Sequence, residues 1–227
     1  LETFNLKINQ VIQTIENNRT ELVSLKSSLD EDYLTRAKAF AYVIEKNPNI
    51  IESVTELQNL ATLLDVDELH VSDSEGLIAY SSVPKYVGLD FHNGEQMRGF
   101  LPILESDDPD EYVIQDAQPN TAEGKIMKYV GVARKDKKGL VQVGLEPTRL
   151  LEAQQRNTYS YIFSRFPTNE GEQLFAINKT TNELIASTND LDDKEASYYT
   201  YDNLKDCQSG TFKDIGNKTE NFFVTRE

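Results

Sequence analysis

The sequence predicts an α+β protein in which a long N-terminal helix precedes two related subdomains, each an antiparallel sheet flanked by helices. Two observations lead to this prediction. Apolar residues follow a heptad pattern through residues 1–32, and a hairpin pattern occurs twice, at 67–91 and at 172–188. The two hairpins lie roughly 105 residues apart, a spacing that suits a duplicated subdomain and is far too long for a solenoid repeat.

The composition limits the classes of function. The 227 residues, 38% of them hydrophobic, are enough to bury a core, and the net charge of −15 disfavours binding to nucleic acid or to anionic lipid. No apolar run approaches the ~18–20 residues that a membrane helix needs. The sequence begins at Leu1 inside a helical pattern. We therefore expect a piece of a longer protein, joined to a membrane only through flanking helices outside this sequence.

The first element is a helix over residues 1–47. Apolar residues at heptad spacing form two seams on it, and Asn47-Pro48 ends it. Two interpretations remain open: the seams form a homodimer, or they cover the chain's own core. The seam residues and their less regular continuation are Leu1, Phe4, Ile8, Val11, Ile15, Asn18, Leu22, Leu25, Leu29, Tyr33, Ala37, Phe40, Ala41 and Ile44.

Residues 48–146 form the first subdomain. Ser53 to Glu56 match a capping box and predict a short helix. The hairpin at 67–91 follows, with Gly76 in its turn. After a polar, irregular stretch, strands are predicted at 112–114, 126–133 and 140–145.

The remaining residues form a connecting helix and the second subdomain. Pro147 starts the connecting helix, 147–166, because proline suits the first turn of a helix. The second subdomain, 167–227, contains the second hairpin and two strands, one at 210–212 and one at 222–224. It is shorter than the first, so we expect it to be incomplete at its C-terminus.

Four segments carry a resemblance to a known family. They are the hairpins DELHVSDSEGLIAYSS and EQLFAINKTTNELIAST, the segment YVGLDF, and the strand pair KYVGVARKDKKGLVQVGLEP. Together they resemble the double Cache (PDC, PAS-like) extracytoplasmic sensor domains of bacterial and archaeal transmembrane receptors. The resemblance implies a location outside the cytoplasm, between two membrane helices, with the first subdomain membrane-distal and the second membrane-proximal.

In such receptors the distal subdomain holds a small ligand, so the resemblance implies an organic acid, an amine or an amino-acid-like molecule. The amino-acid-binding members carry an arginine, one further residue and an aromatic pair. Arg98 and Phe100 keep the arginine and the first aromatic, whereas Leu101 replaces the second. The last strand ends in Gly144-Leu145, where an aspartate would complete that site.

Arg98 is the best candidate for a ligand anchor, because a guanidinium group can hold a carboxylate in a bidentate way. For Arg98, the alternative is a surface salt bridge. For the aromatic candidates it is an ordinary position in the core, and for Asp116 it is a solvated loop. The further candidates, which would supply an aromatic wall and polar contacts, are Phe100, Tyr112, Tyr129, Tyr80, Ser81 and Asp116.

The sequence gives no support for an enzyme. Only His70 and His92 are present, neither at metal-ligand spacing, and the lone Cys207 has no partner for a zinc site. We predict no catalytic residue, metal or cofactor. The leading hypothesis is a ligand-sensing domain of a receptor of the histidine kinase, diguanylate cyclase or chemoreceptor type, with signals passing through the helical spine. The alternative is a non-sensing structural, dimerisation or protein-interaction module, in which Phe100, Tyr112 and Tyr129 fill the pocket themselves.

Overall fold

The computed structural model describes residues 2–216 and 218–223. Internal contacts divide the chain into two compact units. We call Leu25–Arg149 the sheet unit, and Leu1–Ser24 together with Leu150–Glu227 the split unit. The predicted α+β class, with a long N-terminal helix and antiparallel sheets, is confirmed. Leu1 and Val224, which the sequence assigned to a seam and a strand, lie outside the described residues.

Helix α1 spans Glu2–Lys46 and contributes to both units. Within the sheet unit, the apolar stripe of α1 is buried in the chain's own core, and this is one of the two interpretations left open for the apolar face of the helix. The helix ends before a 3-10 helix at Pro48–Glu52, because the residue that precedes a proline is driven out of the helical region. The buried residues of this stripe are Leu29, Tyr33, Ala37, Phe40, Ala41 and Ile44.

The sheet unit is built on an antiparallel sheet with strand order β2-β1-β6-β5-β3, and β4 pairs with β5. The strands are β1 (Glu68–Ser72), β2 (Ile78–Ser81), β3 (Tyr112–Ile114), β4 (Gln118–Pro119), β5 (Ile126–Ala133) and β6 (Leu140–Leu145). The helices are α2 (Val54–Leu63), α3 (Glu95–Arg98) and α4 (Leu101–Glu105), with a 3-10 helix at Pro84–Tyr86.

Local side-chain hydrogen bonds define the start of α2 and the turn between β1 and β2. The Ser53 side chain accepts a hydrogen bond from the Glu56 backbone N–H at 3.2 Å, so the predicted cap of α2 is confirmed. In the hairpin turn, the Asp73 carboxylate accepts hydrogen bonds from the N–H groups of Glu75 and Leu77, both at 2.9 Å. Gly76 in the same turn has a φ of 88°, a conformation that favours glycine.

All five residues of β1 are buried, because both faces of this sheet are covered. One face, the cavity face, packs against Phe100 and Ile103, which lie at and just after the start of α4. The other, the α1 face, includes Lys128, whose Nζ forms an ion pair with Asp30 of α1. Because successive strand residues point to opposite faces, Tyr129 lies on the cavity face.

The split unit contains two antiparallel pairs, β7–β8 and β9–β10, made of β7 (Phe175–Asn178), β8 (Glu183–Ser187), β9 (Thr211–Ile215) and β10 (Lys218–Phe223). The predicted single connecting helix is instead two helices, α5 (Thr148–Arg156) and α6 (Tyr159–Arg165). The break lies at Thr158, which has extended backbone angles and whose hydroxyl accepts a hydrogen bond from the Tyr161 N–H. Two short helices follow, α7 (Asp193–Ala196) and α8 (Tyr201–Leu204).

Candidate functional site

A small cavity lies on the cavity face of the sheet unit, with a volume of about 20 Å³. That is room for roughly one water molecule. Seven of its eleven lining side chains carry a polar atom, and four are apolar. The lining residues are His70, Ile78, Tyr86, Leu89, Gln96, Met97, Asn120, Thr121, Ala122, Tyr129 and Gln142.

Strand register explains why polar side chains meet here. His70 of β1 is paired with Gln142 of β6 and with Ser81 of β2, and directly opposed residues share a face. Glu68 is paired with Gly144. A Cβ on Gly144 would lie 2.3 Å from Cε1 of Tyr129, so the glycine leaves the space that the tyrosine ring occupies.

A buried carboxylate connects two of the lining side chains. Oε2 of Glu68 accepts a hydrogen bond from the Tyr129 hydroxyl at 2.7 Å and lies 3.1 Å from Nε2 of His70. Burial acts to raise the pKa of Glu68, but the hydrogen bonds and charge of His70, with the Tyr129 hydroxyl, lower it below its ordinary value. The carboxylate is therefore ionised near neutral pH.

The same contacts define hydrogen-bonding roles for Tyr129 and His70. Burial, together with the charge of Glu68, raises the pKa of Tyr129, so its hydroxyl remains a donor. Nδ1 of His70 lies 2.9 Å from the Ser81 hydroxyl. In neutral His70, these partners fit the tautomer with the proton on Nε2, donated to Glu68, while Nδ1 accepts from Ser81.

The wall opposite the sheet is held by side-chain hydrogen bonds. Nε2 of Gln96 donates to Oε1 of Gln115 at 3.0 Å, and Nε2 of Gln115 donates to the Gln96 carbonyl at 2.7 Å. Glu123 accepts from Lys85 and from the Tyr86 hydroxyl. These two donors lower the pKa of Glu123, which keeps it charged. The wall segments are therefore tied to each other by polar contacts that can exchange with water.

One cavity group has no partner. Nε2 of Gln142 makes no hydrogen bond to any residue that the structure describes, and Gln142 is only 3% exposed. A buried amide N–H without an acceptor costs about 1–3 kcal/mol. Such a group in a cavity is expected to meet a water molecule or a ligand.

The structure brings two of the sequence-predicted site residues together. Tyr129 lines the cavity, and Ser81 contacts His70 at its edge. Phe100 lies on the same face but is fully buried in the core, where Gly131 makes room for its ring. Tyr80 lies opposite Val71 and thus on the α1 face.

The other three predicted residues lie away from the cavity lining. Arg98 is exposed at the end of α3. Tyr112 is 47% exposed, with the Lys38 ammonium group 5.8 Å from its ring centre. Asp116 forms an exposed ion pair with Lys26 at 2.6 Å. Ligand binding by these residues stays a prediction.

Sequence reasoning missed Glu68, Asn120 and Gln142. A signal was present in β1, where Glu68, His70 and Ser72 alternate with Leu69 and Val71. In a strand buried on both faces, a polar residue at every second position marks one polar face. His70 itself is hydrogen-bonded to Ser81 and to Glu68.

Within residues 2–216 and 218–223, no cluster of three or more His, Cys, Asp or Glu side chains is placed to hold a metal ion. In the same part of the chain, no helix combines the length and apolar character needed to cross a membrane.

Comparison with known proteins finds matches among solved structures only. No protein-family profile matches the chain, and no curated protein matches it. The chain is similar to the ligand-binding domain of the Campylobacter jejuni chemoreceptor Tlp3 in complex with 4-methylisoleucine, at 12% identity, covering 83% of this chain and 72% of that one, with a TM-score of 0.48.

It is also similar to the sensory domain of Tlp3 with isoleucine bound, at 14% identity, covering 94% of this chain and 84% of that one, with a TM-score of 0.46. The sensor domain of Escherichia coli DcuS matches at 16% identity, over 57% of this chain and 96% of that one, with a TM-score of 0.38. By their descriptions, the first is a ligand-binding domain, the second a sensory domain and the third a sensor domain.

Proposed function

We propose that this chain is the ligand-sensing part of a transmembrane receptor and that its ligand binds in the cavity of the sheet unit. The observation that carries the proposal is the unpartnered amide of Gln142, buried among polar side chains on the cavity face. A core built only for stability has no use for an unsatisfied donor, because replacing it with an apolar group would remove its cost.

The proposal includes the setting of the domain. Residues 48–146 form the membrane-distal sensing subdomain, on the extracytoplasmic side, between membrane helices that flank the sequence. Helix α1 carries the signal, and it also offers a surface for a homodimer. The two hairpins and the strand pair at 128–147 support this assignment through their resemblance to receptor sensor domains. A ligand acts by binding more tightly to one arrangement of the domain than to another.

Thermal-shift and calorimetric screening of the chain against amino acids, organic acids, amines and nucleobases tests the proposal. The site variant is Gln142→Met, which removes the unpaired donor while keeping the side-chain length. It should fold at least as stably as the parent, since a buried unsatisfied donor is lost. It should also lose the ligand-induced shift.

Arg98→Met is the matched control, because it makes a comparable change at an exposed position outside the cavity lining. It should bind as the parent does. Binding that is lost in Arg98→Met and kept in Gln142→Met would place the ligand at the anchor predicted from sequence. If no compound of the four classes binds, sensing of small molecules in this cavity is wrong.

A second candidate function is a structural or dimerisation module without a ligand, and the small volume of the cavity favours it. About 20 Å³ is far less than a metabolite occupies, and Phe100 and Tyr129 are both buried on the cavity face. This candidate function predicts that Gln142→Met is more stable than the parent and that neither protein shows a ligand response. The loss of a ligand response in that variant therefore separates the two functions.

A further inference from the structure

The charged groups near the cavity walls disfavour an anionic ligand. None of the cavity's eleven lining residues is Lys, Arg, Asp or Glu. The Glu68 carboxylate lies at the polar edges of the His70 and Tyr129 side chains, which are its hydrogen-bond partners among the described residues, and Glu68 is 8% exposed. A ligand carboxylate would therefore enter a buried space that offers it a negative neighbour and no cationic lining residue, which disfavours its charged form.

Three of the side chains that line this space, those of His70, Tyr86 and Tyr129, carry aromatic rings. The centres of the His70 and Tyr86 rings are 5.6 Å apart at 51°, and those of His70 and Tyr129 are 6.1 Å apart at 45°. The rings are tilted toward one another, so they do not stack face to face. Aromatic faces attract a cation that lies within about 6 Å of the ring centre, and the attraction grows when water is excluded. The Glu68 carboxylate, in hydrogen-bond contact with two of the three side chains, adds to the negative potential that a cation would meet.

Gln142 adds a second requirement. It is the cross-strand neighbour of His70 on the cavity face, and its Nε2 has two N–H groups without a described acceptor. Opposed side chains in neighbouring strands lie about 4.5–5.5 Å apart at Cβ. A ligand held against the rings would thus have an amide donor close by, and an oxygen atom on the ligand would satisfy it.

We propose that the cavity binds a small organic cation that also carries a hydroxyl oxygen, that is, an amino alcohol in its protonated or quaternary form. This inference rests on the proposed sensing function and names the ligand class for the same site. The ammonium group lies against His70, Tyr86 and Tyr129, two of which contact the Glu68 carboxylate, and the hydroxyl oxygen accepts from Gln142.

Binding requires the wall to open, because the present cavity has room for roughly one water molecule. The wall contacts that must loosen are the Gln96–Gln115 hydrogen bonds and the contacts of Glu123 with Lys85 and Tyr86. Because only the open form binds, the measured affinity equals the affinity of the open form multiplied by the fraction of molecules that are open.

The experiment compares probes that differ in one property at a time. Choline and 3,3-dimethyl-1-butanol have nearly the same shape, but only choline is charged. Ethanolamine tests a primary ammonium group, tetramethylammonium lacks the oxygen, and propionate carries the opposite charge. Calorimetry on the 227-residue chain should show choline or ethanolamine binding roughly tenfold or more tightly than 3,3-dimethyl-1-butanol. Tetramethylammonium should bind more weakly than choline, and propionate should not bind.

Two variants locate the interaction. Glu68→Gln should weaken the cation roughly tenfold without strengthening 3,3-dimethyl-1-butanol. Gln142→Met should weaken choline and leave tetramethylammonium unchanged. Circular dichroism checks that both variants are folded, and if Glu68→Gln is unfolded, Gln142→Met alone decides.

Each remaining outcome counts against a stated claim. Equal binding of choline and its neutral isostere, or tight binding of propionate, overturns the cation class. If an anion or a neutral molecule from a wider metabolite screen binds and Gln142→Met abolishes that binding, the sensing function stands and only the ligand class falls. If neither these probes nor any metabolite of that screen binds, both the ligand class and the sensing function are overturned.

Discussion

Lys128 and Asp30 form an ion pair, and losing Asp30 should lower the free energy of unfolding more than losing Lys128. The Lys128 side chain is 0% exposed, and its Nζ also donates to the Gln115 carbonyl at 2.9 Å. The Asp30 side chain is 26% exposed. Removing one partner of a fully buried pair costs about 3–5 kcal/mol, because the other charge is left without compensation in a poor solvent for it.

Asp30→Asn leaves the lysine charge in the dry position, so we expect it to lower the free energy of unfolding of the sheet unit by about 3 kcal/mol. Lys128→Met leaves a carboxylate that water can reach and adds an apolar side chain of similar length, so we expect a cost of about 1 kcal/mol. In the Lys128→Met background, Asp30→Asn should cost almost nothing, which gives a coupling energy of about 2–3 kcal/mol.

Urea unfolding followed by circular dichroism measures these differences, and amide hydrogen exchange in β5 assigns them to the sheet unit. The matched control is Lys26→Met, one helical turn away on α1, whose pair with Asp116 has side chains 44% and 72% exposed. That exposed pair should contribute less than about 1 kcal/mol. A larger cost for Lys128→Met than for Asp30→Asn, or equal costs for Asp30→Asn and Lys26→Met, would refute the reasoning.

Three further changes have expected outcomes. The folded state lowers the pKa of Glu68 from its ordinary value of 4.5, so the ionised carboxylate stabilises the fold at pH values above 4.5. This contribution is lost as the pH falls below 4.5 and through the pKa of the folded state. The stability of Glu68→Gln should therefore fall less steeply with decreasing pH than that of the parent. Gly144→Ala should cost about 1–3 kcal/mol in urea unfolding, and less in a Tyr129→Ala background, since the new methyl group meets the Tyr129 ring. Ser53→Ala should cost about 1 kcal/mol through loss of the α2 cap, whereas Ser53→Asp should restore most of it.

The fold was predictable where local pattern decides it. Alternating apolar residues and turn chemistry defined both hairpins and the long strands of the sheet unit, and Asn47-Pro48 marked the end of α1. The break in the connecting helix at Thr158 was not predicted, because a hydroxyl group that caps a helix leaves the apolar spacing on either side intact. The stretch between the first hairpin and β3, predicted to be irregular, contains the short helices α3 and α4.

The candidate site was harder to predict because it depends on strand register. His70 and Gln142 are far apart in sequence and meet only through the pairing of β1 with β6. A motif search found Arg98, whose charge suggested an anchor, but its side chain lies at the exposed end of a four-residue helix. Tyr129 was a candidate for the aromatic wall, and it does line the cavity, where its buried hydroxyl donates to Glu68.

Strand β5 presents consecutive residues to different surroundings, Tyr129 to the cavity and Lys128 to helix α1. This arrangement has a consequence for how the protein can change over generations. Substitutions at alternate positions of β5 can alter ligand preference while the intervening positions keep their packing against the helix. We expect homologous chains to vary together at 127, 129 and 131, with separate and slower variation at 128, 130 and 132.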